Sequence, residues 1–432
     1  HRQGRSGTGA PEPQPDGRQA GGRGAPLSEI ALGRDDWWGL PAELERLAVG
    51  SVTAPSGFVA SGVACGLKES GSLDIGVLTS TRRVTSAIVD TASALPSESV
   101  IHTRSLDRSH IQAVVVNAGN ANASTGPQGI EDAATIGRTV ATELGIDPGQ
   151  VAVCSTGVIG QRFKMGVVTA GARAAASAVG PDGGPAFGQA ICTTDRAPKG
   201  GAFRLRLPSG EYAIGAAAKG AGMISPNMAT MLAYVTTDAP FDSRVLQPLV
   251  RQAAAESFNR ISVDGQMSPS DTLLVMANGE GPQLIGQEAE TFGVALRAIC
   301  RWLALQIVRD GEGAEHVVRL LVHGAKDDAE AEHVGRAIAN SPLIKAAVYG
   351  RDANWGRLTQ AVGAALAGLQ GPPPVPSLTF DGLEPTDEGI AEVMARDEYE
   401  MHVGLGRGEG LAEIFFCDLT HAYVSINADY RT

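Results

Sequence analysis

A threonine that follows a small residue at the end of a glycine-rich loop has the makings of a self-processing nucleophile. One such site stands in the stretch Lys219 to Asp238, KGAGMISPNMATMLAYVTTD. Its upstream part is rich in glycine, which permits positive φ and close backbone approach. Its downstream part, Met231 to Val235, is an apolar run that reads as a buried strand. Were the Ala229–Thr230 bond to break, Thr230 would carry a free α-amine beside its own hydroxyl. That amine has an unperturbed pKa of about 7.7–8.0, suited to take the hydroxyl proton near neutral pH. The plain alternative is a glycine turn feeding a core strand, with Thr230 an ordinary β-former. A second place with chemical promise is Ser155-Thr156-Gly157-Val158-Ile159-Gly160, at the exit of the apolar strand Val151–Cys154. A small glycine-bearing turn there can aim a hydroxyl and backbone N–H groups at one point, as oxyanion stabilisation requires, or can simply turn the chain.

The elements that must hold these residues alternate. Strands are expected at Phe58–Lys68, Leu73–Leu78, Val84–Val89, Ala113–Asn117 and Val151–Cys154. Helices are expected at Ile130–Leu144, Met165–Val179 and Ala186–Cys192. A hairpin is expected across Pro208–Glu211. Beyond the junction the pattern predicts a helix at Ser243–Ser257 and strands at Ile261–Asp264 and Thr272–Met276. A helix follows at Thr291–Val308, a strand at His316–Val322 and a helix at Ala329–Ala339. A strand at Leu343–Val348, a helix running from Asp352–Arg357 to Leu366 and a strand at Leu411–Cys417 complete the pattern. Trp37-Trp38 and Leu44–Val49 read as a short preface. Trp355 reads as a core residue. Strand and helix alternation around a central junction points to a mixed α/β (α+β) fold of two subdomains. Residues 1–36, Gly-, Pro- and Arg-rich at the start, read as a disordered extension.

Composition narrows the partners. The 432 residues carry a net charge of −12, which disfavours nucleic acid or an anionic membrane as the main partner. No apolar run reaches the ~18–20 residues of a membrane span, and no cationic stretch leads into an apolar signal core. A cytoplasmic protein is expected. The five cysteines are scattered, with no C-x-x-C pair, and read as reduced, mostly buried thiols. No phosphate-loop, HExxH or Cys/His metal motif is present, so no metal and no cofactor are expected.

Several motifs, in order, resemble the ornithine acetyltransferase (glutamate N-acetyltransferase) family of arginine biosynthesis. They are NAGNANA from Asn117, STGVIG from Ser155, TTD at Thr193–Asp195, KGAGM and MATML around the junction, SVDG at Ser262–Gly265, DGEG at Asp310–Gly313 and DANWGR at Asp352–Arg357. The resemblance covers about Val52 to Thr432. It implies self-cleavage into an α chain, 37–229, and a β chain, 230–432, which stay associated and assemble as a heterotetramer of two of each. It implies a nucleophile at Thr230 and an oxyanion hole at Thr156 and Gly157. Substrate contacts are implied at Thr193, Lys219, Thr230, Glu312, Asn427 and Thr432. The implied reaction moves an acetyl group from N2-acetyl-L-ornithine to L-glutamate by a ping-pong route, with acetyl-CoA as a further candidate donor although no CoA motif is visible. Read alone, Lys219 is equally a surface lysine, and Glu312 equally a solvated carboxylate or a cation site. The chain departs from the family pattern at Arg196, at Gln266, Met267 and Pro269, and at Ala353. Those departures leave two alternatives open, an inactive binding relative and a paralogue acting on another amino acid; a third, a self-cleaving amidohydrolase or aminopeptidase, stays open because related N-terminal-nucleophile architectures hydrolyse amides.

Overall fold

The structure, a computed structural model, describes Ile30 and residues 33–225 and 231–429. Most of the expected extension, the Ala229–Thr230 junction and Thr432 lie outside the described residues.

Two sheets form the centre. A four-stranded sheet runs in the order β2 (Phe58–Val63), β3 (Ile75–Ser80), β5 (Ala113–Asn120) and β6 (Val151–Val158). A six-stranded sheet runs β1 (Leu44–Arg46), β7 (Lys199–Leu207), β8 (Gly210–Lys219), β9 (Leu232–Thr237), β11 (Thr272–Ala277) and β4 (Thr85–Asp90). Side chains alternate across each strand, so each sheet has two apolar faces to cover. Leu78, Val114, Val116 and Cys154 of the first sheet meet Tyr234, Leu274 and Met276 of the second in one core. The alternate residues Val77, Val115 and Val153 face outward and are covered by helices Pro127–Leu144 and Met165–Ser177. On the far side Ala233, Val235, Leu273 and Val275 are covered by helices Ser243–Ala255 and Gly286–Arg309. The result is four layers, helix–sheet–sheet–helix.

A third, five-stranded sheet runs β10 (Ile261–Ser262), β15 (Gly410–Cys417), β12 (Val317–Ala325), β14 (Glu398–Gly404) and β13 (Ser377–Phe380). It packs its own core against helices Asp328–Ala339, Pro342–Tyr349 and Trp355–Ala365. Two subdomains of mixed α/β character are therefore present. The six-stranded sheet, however, draws strands from both sides of residue 230: β8 and β9 are antiparallel neighbours, paired from Lys219↔Leu232 to Ile214↔Thr237.

Four expectations need correction. Leu343–Val348 is helical, not a strand, because Ser341 caps the turn by accepting from Ile344 N–H and Pro342 occupies the first helical position. Trp355 is 62% exposed, not core; it opens a helix whose buried stripe is Leu358, Ala361 and Val362. Thr156 and Gly157 do not follow β6 as a turn but belong to it, opposite Ala118 and Gly119 of the parallel β5. Finally, helix Gly286–Arg309 is long and apolar enough to cross a membrane, with a mean hydropathy of 1.4. Arg297 and Arg301 break it as a continuous apolar run, which hides it from a residue-by-residue reading. It is a core helix: its most apolar segment is 78% buried, and Trp302 packs edge-on to Phe203.

Candidate active site

The end of β6, the end of β8, the loop after the helix Gly184–Ala190, the loop after Gly286–Arg309 and the C-terminal helix His421–Asp429 meet around one pocket of about 260 Å³. Thr156, Gly157, Thr193, Lys219, Glu312 and Asn427 all line it. Six residues separated by up to 271 positions of sequence, from Thr156 to Asn427, are thus brought together. The predicted Ala229, Thr230 and Thr432 lie outside the described residues. Met231, which follows residue 230 in the chain, is buried at the head of β9.

β6 presents its two residues through an unusually close strand contact. Gly157 has φ +128°, and a Cβ there would lie 2.3 Å from Gly119 C and 2.6 Å from Asn120 N. Only glycine lets β5 and β6 meet this way, and the ladder is irregular at Asn120. Thr156 is buried, and its Oγ1 accepts from Lys219 Nζ at 3.4 Å. Lys219 Nζ also donates to Thr193 Oγ1 at 2.7 Å. Lys219 is only 2% exposed, so its surface reading falls away.

The pocket also holds carboxylates. Glu312 Oε2 accepts from Asn427 Nδ2 at 2.7 Å, which ties the C-terminal helix to the pocket. Glu312 is also held through its backbone, N–H to Ala221 O at 2.9 Å. Gly222 makes room for it: a Cβ at 222 would sit 2.5 Å from the carboxylate. Asp264 lies beside them and accepts from Met223 N–H at 2.6 Å, from Ile224 N–H at 2.9 Å and from the Tyr423 hydroxyl at 3.3 Å. Burial pushes its carboxyl above the usual range despite the backbone N–H groups, and the neighbouring Glu312 charge adds to the rise. Burial likewise raises the Tyr423 phenol.

Three carboxylates therefore grip main-chain amides on both sides of the junction: Asp195 takes Gly220 N–H at 2.7 Å, Asp264 takes Met223 and Ile224, and Asp271 takes Met231 N–H at 3.0 Å. The second oxygen of Asp271 has no hydrogen-bond partner among the described residues. Burial drives its carboxyl well above the usual range, against the pull of the Met231 N–H and the Lys219 charge.

None of these three aspartates stands out in the sequence as a site residue. The available signal is their placement in TTD, SVDG and the segment ending at Asp271, but one sequence does not say which carboxylate will be buried. The departures from the family pattern divide. Gln266, Met267 and Pro269 line the pocket. Arg196 does not: its guanidinium turns outward, Nε donating to Asp310 Oδ1 at 2.8 Å and Nη2 to Arg309 O at 2.6 Å. Cysteine chemistry is disfavoured, since burial pushes the Cys192 thiol to about 12 and the Cys154 and Cys417 thiols to about 11. All five cysteines are free thiols, Cys65 and Cys192 being half-buried rather than buried. His421 stacks edge-on to Tyr349 outside the pocket.

Comparison with known proteins gives the same direction. Residues 59–432 match the model of the ArgJ family. The arginine biosynthesis bifunctional protein ArgJ of Symbiobacterium thermophilum is 43% identical over 405 residues, covering 90% of this chain and all of that protein. The protein of the same name from Bacillus licheniformis is 42% identical, over 89% of this chain and 97% of its own length. Among solved structures, an ornithine acetyltransferase from Mycobacterium tuberculosis complexed with ornithine is 33% identical with a TM-score of 0.39, covering 44% of this chain and 100% of that one. On the match across 59–432 and the full-length identity to these relatives, the chain belongs to the ArgJ family.

Proposed function

We propose that this chain is an acetyltransferase of arginine biosynthesis, which moves the acetyl group of N2-acetyl-L-ornithine to L-glutamate after cutting itself between Ala229 and Thr230. Membership of the ArgJ family supports the acyltransferase class. The observation that carries the finer reading is one pocket lined by hydroxyl, ammonium and carboxylate groups together. Its volume of about 260 Å³ suits a single small amino acid.

In this mechanism cleavage frees the Thr230 α-amine, which takes the proton from the Thr230 hydroxyl as Oγ attacks the acetyl carbonyl. The Thr156 hydroxyl and the Gly157 N–H stabilise the oxyanion. The amine proton passes to the departing ornithine nitrogen as the carbon–nitrogen bond breaks, leaving acetyl-Thr230. The glutamate amine then attacks this ester, its proton returns to the Thr230 oxygen, and N-acetylglutamate leaves. Lys219 meets the substrate carboxylate, while Glu312, held by Asn427, meets the ammonium; Thr193 positions Lys219, and Thr432 contributes from the C-terminus. Acetyl-CoA enters as an alternative donor to the same threonine.

Because β8 and β9 are hydrogen-bonded neighbours in one sheet, the α (37–229) and β (230–432) chains stay together after the cut. Two such pairs form the assembly in the cytoplasm.

Mass spectrometry of the purified protein should give two fragments, one with Thr230 at its N-terminus. Ornithine release from acetyl-ornithine should depend on glutamate. An uncut chain that still transfers acetyl groups, or a release rate indifferent to glutamate, would overturn the mechanism. A matrix of acetyl-ornithine and acetyl-CoA against glutamate, ornithine and related amino acids assigns donor and acceptor.

A further inference from the structure

Behind the pocket lies a fully buried cluster of charge that the proposed reaction does not use. Lys199, on β7, is 0% exposed. Its Nζ donates to Asp195 Oδ1 at 2.6 Å and to Asp310 Oδ2 at 2.6 Å, and both carboxylates are also completely buried. Arg196 supplies the second cation from outside, its N–H and Nε reaching the two oxygens of Asp310. Each carboxylate is tied to a loop of the pocket. Asp195 accepts from Thr193 N–H at 2.9 Å and from Gly220 N–H at 2.7 Å, so it touches the backbone of Thr193 and of the residue after Lys219. Asp310 stands two positions before Glu312.

Sign and position matter here. The Lys219 charge acts on Asp195 and on Asp271. Burial favours the neutral form of Asp271, as described above. Asp195 is different: burial alone would raise its carboxyl, but the charges of Lys199 and then Lys219 outweigh that and hold it well below the usual range. Asp195 is therefore an ionised carboxylate held beside Lys219, since it also accepts from the N–H of Gly220, the next residue in the chain. A carboxylate shared between two ammonium groups binds the one that reaches it directly, and Lys199 does so.

We infer that Lys199 is a positioning residue of the amino-acid pocket: by engaging Asp195 it keeps that carboxylate from pairing with Lys219, so the Lys219 charge stays available to a substrate carboxylate. This rests on the reading of Lys219 as a carboxylate-binding group. Without the Lys199 ammonium, Asp195 and Asp310 would share the remaining cations, and Asp195 would turn to Lys219, whose ammonium already bonds the Thr193 side chain.

The test is a charge cycle read by calorimetric titration of L-glutamate, with acetyl transfer from N2-acetyl-ornithine followed in parallel. Lys199→Met should weaken glutamate binding by about 10–100-fold, the equivalent of one charge-assisted hydrogen bond. Asp195→Asn should cost less than Lys199→Met. The double variant Lys199→Met/Asp195→Asn should bind more tightly than Lys199→Met, because the competing negative charge is gone. A double variant weaker than Lys199→Met would overturn the proposal. Because removing both partners of a buried pair also relieves a stranded charge, urea titrations are run on the same three variants, and an affinity order that merely follows their stability order marks a structural role and overturns it too. Should Lys199→Met fail to fold, Lys199→Gln replaces it in the same cycle, since its amide keeps two N–H donors for the carboxylates without the charge. A wild-type protein that binds glutamate yet transfers no acetyl group would sink the acetyltransferase reading and leave the affinity order to decide the role of Lys199. Wild-type transfer with the reversed order would sink only the role of Lys199.

Discussion

Gly222→Ala separates the pocket from the fold. Gly222 is not among the glycines with positive φ, so alanine brings no backbone strain. The three heavy atoms nearest to its new Cβ are the carboxyl atoms of Glu312, each at 2.5 Å. They are the far end of a side chain that is only partly buried. The carboxylate can swing away, so folding stability should change by less than about 1 kcal/mol, and alanine even offsets part of that by restricting the unfolded chain. What the move breaks is the 2.7 Å bond from Asn427 and the aim of the carboxylate into the pocket. A hydrogen bond to a charged group contributes about 1.5–3 kcal/mol, which is roughly 10–100-fold in affinity. The expected outcome is a KM for acetyl-ornithine raised about 10–100-fold, with kcat much less affected and the melting temperature within ~3 °C of the parent. Steady-state kinetics and thermal denaturation on the same preparation check it. An unchanged KM would refute the substrate role of Glu312. A melting temperature lowered by more than ~5 °C would refute the claim that Glu312 simply yields. Gly157→Ala is the contrasting case: its Cβ meets the backbone of β5 at φ +128°, neither of which can give, so strain of about 1–3 kcal/mol adds to a displaced strand and little folded protein is expected.

Thr156→Ala, which removes one oxyanion donor, should lower kcat by about 10²–10³ with residual transfer above background, measured by single-turnover acetylation. In a Thr230→Ala background that keeps the chain whole, Asp271→Asn should stabilise the protein at neutral pH while keeping an oxygen for the Met231 N–H. The sign follows from the raised carboxyl: stability linked to its neutral form is complete below the unfolded pKa of about 3.9 and is lost as pH rises towards the folded pKa. The gap between variant and parent in urea titrations should therefore open from about pH 4 upward, and a gap that closes with rising pH would contradict it. Trp302→Ala, at a site 2% exposed between Trp38 and Phe203, should cost about 3–5 kcal/mol in the same titrations, as a core helix and not a membrane segment would.

The amphipathic and apolar segments are legible from their own residues, because period 2 or period 3.6 burial writes itself locally into the chain. β5, β9, β11 and the helix from Pro127 to Leu144 all start or end within a few residues of the expected places. Leu343–Val348 misleads for a local reason: six residues of mostly apolar sequence fit either period, and the deciding cap lies in Ser341 and Pro342. The helix Glu98–Arg104 is not among the expected elements, although Ser97 caps it by accepting from Val100 N–H. Nor is the C-terminal helix His421–Asp429. None of its residues is fully buried and it holds its place through Thr420, Tyr423 and Asn427 reaching other loops, so it carries almost no periodic pattern.

The family resemblance carried by the ordered motifs names Thr156, Gly157, Thr193, Lys219, Glu312 and Asn427 as expectations; residue type alone offers Thr156 and Gly157 an oxyanion role and leaves Lys219 and Glu312 as surface charges. Only the tertiary structure decided which of them share a pocket, that Lys219 is buried against Thr193 and Thr156, and that Arg196 faces away. Only it revealed Asp195, Asp264 and Asp271 as clamps on the amides around the junction, and Lys199 between its two aspartates. Burial is a property of the whole assembly, and it is burial that turns an ordinary aspartate into a charged anchor in one place and a neutral acid in another.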